Sequence, residues 1–206
     1  MKQTLKSLVL ACGVLFFAAS CSDKSQTTSE IGDTETETSA KPGSANSRMI
    51  VLSDSLQNNW QRMSESDQRK MASIRRLLDE ISYTPKFNSL RQRQLLQLHE
   101  KAKTLQFDVE GMKNSEAIDK YDAAQDSLVN STLNLAAETP DAGNYPLINE
   151  LTSDIQQEHN KTILFRIRHD EFARDINKLM IENKNLSPAA PYNNLTKIPL
   201  FSLSGV

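Results

Sequence analysis

Between Met49 and Leu179, large apolar side chains recur at spacings of three and four residues, the period of a helix face and not of a strand. The first stripe runs Met49, Leu52, Leu56, Trp60, Met63, Met71, Ile74, Leu78, Ile81, with Asp67 in its gap. Pro85 sets its limit, because the residue before a proline disfavours the helical region. A second stripe is Leu95, Leu98, Ala102, Leu105, Val109, Met112, and it predicts a helix that Gly111 and Asn114 interrupt. A third runs Ile118, Tyr121, Gln125, Leu128, Thr132, Leu135 and stops at the turn-forming run from Glu138 to Asn144. The last opens at Tyr145-Pro146, with Pro146 near the first helical position. It continues through Leu147, Leu151, Ile155, Glu158, Thr162, Phe165, His169, Phe172, Ile176 and Leu179, and residues 183–188 close it.

Four amphipathic segments joined by short turns predict an all-α fold, an antiparallel four-helix up-down bundle. The first and last helices are the longest, roughly 35 residues and about 50 Å each at the helical rise. Composition agrees. Only 38% of residues are hydrophobic, 6% are aromatic and six are glycine, which argues for thin helical packing and against a turn-rich β domain.

The first twenty residues read as a signal peptide. Lys2 and Lys6 precede an apolar run from Leu8 to Ala19. That run is too short to span a bilayer as a helix, which takes roughly 20 residues, and it suits an export signal. Ala18-Ala19-Ser20-Cys21 follows and resembles a bacterial lipobox. The expectation is cleavage before Cys21 and attachment of lipid to its thiol, palmitate among the acyl chains, with several chains giving stable anchorage. Cys12 would leave with the signal, so the mature chain could form no internal disulfide and no Cys₄ zinc site.

Residues 21–47 then read as the lipidated cysteine and a disordered tether. Ser22 to Ser47 is rich in Ser, Thr, Glu and Asp, with Ile31 its only large apolar residue. A flexible chain of that length has an end-to-end distance on the order of 28 Å. The bundle domain is expected over 48–185. An irregular tail, 186–206, carries Pro191, Tyr192, Pro199, Leu200, Phe201 and Leu203 and is expected to dock on the bundle.

Charge and motifs exclude several chemistries. The formal net charge is −2, and loss of Lys2 and Lys6 makes it more negative, so nothing favours nucleic-acid binding. His99, His159 and His169 are preceded three residues earlier by Leu96, Gln156 and Arg166, so the Glu-x-x-His pairs of di-iron bundles are absent. No Gly-rich phosphate loop, H-E-x-x-H or G-x-S-x-G occurs. No cofactor, resident metal or catalytic residue is therefore expected. Glu158 and His169 share one helix face, which leaves two readings: a metal or proton site, or polar groups in the seam. Arg62, Arg69 and Arg76, seven apart with Lys70 and Arg75 beside them, read as a solvated flank or as a contact with an anionic partner. Arg166, Arg168 and Arg174 on the last helix allow the same two readings.

Trp60, Met63, Arg69-Lys70, Ile74, Leu77-Leu78 and Ile81 resemble the first-helix signature of LemA-like proteins, and Tyr145-Pro146 resembles the start of that family's last long helix. Asn160, Arg166, Asp170 and Asn177 resemble its spaced polar positions there. Arg75 departs from the family's usual Pro, His169 and Ile176 from its tyrosines, and Asp170 from an Asn. The resemblance spans residues 49–183 and implies a long helical bundle at the envelope with no established catalytic activity. It makes Arg69, Lys70, Asn160, Arg166, Asp170 and Asn177 candidates for a polar seam or interaction site, and Glu158, from the stripe of the last helix, joins them.

The resulting expectation is a non-catalytic, envelope-organising or protein-binding lipoprotein, held to a membrane by Cys21, with its bundle in the periplasm or outside the cell. The alternative is a module that binds a small ligand or lipid between its helices, where Met63, Met71, Met112 and Met180 would give adaptable packing.

Overall fold

A computed structural model describes residues 43–201; the expected signal segment, Cys21 and most of the expected tether lie outside the described residues, as does Leu203. The described chain is all-helical: α1 (Ala45–Ile81), α2 (Ser89–Thr104), α3 (Ser115–Glu138) and α4 (Pro146–Glu182), with short 3₁₀ turns at Gly111–Lys113 and Ala142–Asn144. The first and last helices have 37 residues each, about 55 Å of rod.

Local chemistry sets the ends. Ser44 caps α1 by accepting from the Ser47 N–H at 3.2 Å, so the helix starts three residues before the expected boundary at 48. At the other end Ser82 and Thr84 hydroxyls donate to the Asp79 and Ile81 carbonyls, satisfying groups the helix leaves open. Asn88 and Asn114 cap α2 and α3. Pro146 occupies the first turn of α4, where its missing N–H costs nothing.

The second stripe does not form one helix. α2 ends at Thr104, and Val109 and Met112 reach the interior from the connection and its 3₁₀ turn, 6% and 3% exposed. The burial rhythm outlasts the helix because a tight turn also returns the chain to the core every few residues.

Pairings along the rods give the directions. Arg48 meets Asp175, Asn59 meets the Phe165 carbonyl and Ser66 meets Glu158, so numbers fall along α4 as they rise along α1. Gln92 with Leu78 and His99 with Met71 give the same opposed sense for α2 against α1. α1 and α4 form the most extensive pair, whereas α3 touches α4 lightly.

The apolar interior is in two parts. One cluster centres on Ile74, Leu77, Leu78, Leu128, Leu151 and Ile155. The other joins Met49, Leu56, Ala173 and Ile176 to the tail residues Tyr192, Leu195 and Ile198. Between Leu56 and Met71 on α1, and between Ile155 and Ala173 on α4, every buried residue is polar: Asn59, Ser66 and Lys70 on one, Glu158, His169 and Asp170 on the other. The bundle therefore has a polar waist.

Candidate functional site

The waist is built from pairs that neutralise one another. Glu158 receives the Ser66 hydroxyl at 2.5 Å, Arg69 Nη2 at 3.2 Å and Lys161 Nζ at 2.7 Å. Burial pushes its carboxyl up, but the bonds from Lys161, Ser66 and Arg69 outweigh that and hold the pKa down at about 2. Lys70, 2% exposed, sets its ammonium 2.8 Å from Asp67 Oδ1. The other Asp67 oxygen accepts from the Tyr121 hydroxyl and from Gln106 Nε2. Burial, then the Asp67 charge, push the Tyr121 phenol well above its ordinary value, so it remains a donor. Arg166 makes a bidentate pair with Asp122 across from α4 to α3.

One and three turns further along α4, side chains hold the tail. Asp170 Oδ1 accepts from the Phe201 N–H at 2.8 Å. Asn177 accepts from the Ile198 N–H at 2.7 Å and donates to its carbonyl at 2.9 Å. These contacts seat the Phe201 ring against Trp60, stacked at 6.4 Å, and against His169, edge-on at 5.0 Å, with the Arg166 guanidinium 4.8 Å above it.

The candidate residues thus fall into separate groups. Arg69 and Glu158 meet. Lys70 is buried in its own pair with Asp67 and is no part of a solvated basic flank. Arg166 joins Asp122 and not Arg69. Asp170 and Asn177 are tail anchors, and Asn160 is exposed. Cys21 lies outside the described residues. Glu158 and His169 do not form one metal or proton site: eleven residues of helix separate them by about 16 Å. His169 is fully buried with Nδ1 3.4 Å from Asp170, and burial lowers its pKa. Among the described residues, no group of three or more His, Cys, Asp or Glu is placed to hold a metal ion.

The aromatic set, Trp60, Phe107, Tyr121 and Phe201, was not foreseen. Phe107 stands edge-on to Tyr121 at 5.4 Å, and Phe201 arrives from the far end of the chain. The polar interruptions of the stripes, at Asp67, Gln125, Glu158, Thr162 and His169, mark this level in the sequence.

Comparison with known families, with curated proteins and with solved structures gave no match for the chain.

Proposed function

We propose that this is a non-catalytic bacterial envelope lipoprotein, tethered through Cys21, whose bundle binds another envelope protein through the outer face of α4. The carrying observation is the patch of Ile163, Leu164 and Ile167, which are 61%, 58% and 51% exposed on consecutive turns of α4. Three large aliphatic side chains in water at one spot favour burial against a partner. The pairing of the waist charges across helices, Glu158 with Ser66 and Arg69, Arg166 with Asp122, supports a structural use for them. The signal-like start, with Cys21 after Ala18-Ala19-Ser20, supports the tether. The LemA-like spacing of Trp60, Arg69-Lys70, Tyr145-Pro146 and Arg166 supports an envelope bundle of this kind.

The test is photo-crosslinking in intact cells with the full-length protein carrying a photoreactive residue at Leu164, and separately at the exposed polar position Lys178 of the same helix. A discrete adduct from position 164, weak or absent from 178 and lost in Cys21→Ser, supports the reading. Equal labelling at both positions, or none at 164, overturns it.

A further inference from the structure

A cavity of about 210 Å³ opens at the waist between α1, the α2–α3 connection, α3 and α4. Its apolar walls are Trp60, Met63, Phe107, Tyr121 and Phe201. Of the charges at its edge, Asp67 is engaged with Lys70 and Tyr121 and Arg166 with Asp122, while Asp108, at the exposed side, accepts from the Gly111 N–H. Gly111 fixes one wall: a Cβ there would lie 2.8 Å from Phe107 Cβ, so the absence of a side chain lets Phe107 sit where it does.

We propose that this cavity binds a small uncharged aromatic molecule and that Phe201 is its movable wall. The inference is independent of the envelope role. The size suits one ring, since a dry cavity of roughly 150 Å³ accepts benzene. The walls offer both ring faces and ring edges, the two arrangements aromatic pairs prefer. An anionic ligand would shed its water and find no unpaired cation, because Arg166 is spent on Asp122, and the Asp67 and Asp108 carboxylates that also line the cavity would repel it. The Thr162 hydroxyl and the Gln106 amide at the rim leave room for one polar substituent, so phenols fit the class.

Phe201 can move because it divides two spaces. It borders the aromatic cavity on one side, and on the other a cavity of about 400 Å³ between the tail and the start of α3, lined by Met112, Ile118 and Leu200. Its backbone is fixed by Asp170, and the chain before it by Asn177. The ring can turn from the first space into the second with both anchors intact. Opening therefore needs a side-chain rotation and no unfolding of the tail.

The test uses the full-length protein with ¹³C-methyl methionine, titrated with p-cresol, with p-toluate as the anionic counterpart. The Met63 methyl signal shifts saturably with p-cresol and at least tenfold more weakly with p-toluate, while Met49 in the distant cluster stays in place. Phe201→Ala removes the wall, and it binds 2-naphthol at least tenfold more tightly than the wild type does. Phe201→Leu, which keeps the site apolar and the tail packed, gives an intermediate gain. A Met63 signal that never saturates, that moves in parallel with Met49, or that responds equally to p-toluate overturns the site. A 2-naphthol affinity unchanged in both Phe201 variants overturns the movable wall.

Discussion

Asn177 holds the peptide of Ile198 with both ends of its amide, donating to the carbonyl at 2.9 Å and accepting from the N–H at 2.7 Å. Ile198 is fully buried, so those backbone groups have no water to turn to. One side chain on α4 thereby fixes where the tail crosses the bundle, and three residues later Asp170 takes the Phe201 N–H.

Asn177→Leu keeps the side-chain bulk but leaves both groups unsatisfied. It lowers stability by about 2 kcal/mol, a fall in melting temperature of roughly 4–8 °C for a chain of this size. Hydrogen exchange locates the loss: the amides of Ile198, Leu200 and Phe201 exchange faster, while those of Leu77 and Leu78 stay protected until global unfolding.

Glu158 makes stability depend on acid. Its carboxyl titrates at about 2 in the fold against an ordinary 4.5, so as pH falls the unfolded chain takes the proton first. The stabilisation it contributes is complete above about 4.5 and is lost as pH falls toward about 2. Melting temperatures between those limits drop more steeply for the wild type than for Glu158→Gln, and the two curves run parallel above them.

Lys70 is buried against the partly buried Asp67, and removing one partner strands the other. Lys70→Met costs about 3–5 kcal/mol, and Lys70→Met with Asp67→Leu recovers most of it, because a matched apolar pair needs no counter-charge. Tyr121 keeps a hydrogen bond from Gln125 Nε2 at 2.8 Å in the double variant. Urea unfolding of the two variants measures the difference.

On the outer face of α4, Leu164→Lys leaves the fold alone. At 58% exposure the side chain contributes little to the interior, and stability changes by less than about 0.5 kcal/mol. The same variant loses the crosslinked adduct when the photoreactive residue is placed at Ile167.

The helices were legible because burial at every third or fourth position writes itself into the chain, and even the polar members of the seam, Glu158, Thr162 and His169, fell on the correct face of α4. The waist was half legible. The polar interruptions were visible, but their partners were not, since nothing in local spacing ties Arg166 to Asp122 or Lys70 to a buried site. Lys70 looked like part of a basic flank because Arg69 and Arg76 nearby are exposed, and one residue of helical rotation separates the two fates. The α2 boundary was obscured because Val109 and Met112 keep the helical rhythm of burial after the helix has ended. Phe107 and Phe201 meet across 94 residues of sequence through tertiary packing alone.

Intact-mass spectrometry of the protein purified from its native membranes tests the proposed tether through Cys21 most directly. The predicted result is a chain that begins at Cys21 and carries the added mass of a diacylglyceryl group, alone or with a further acyl chain. A chain that retains Met1, or a mature chain whose Cys21 is unmodified, contradicts it.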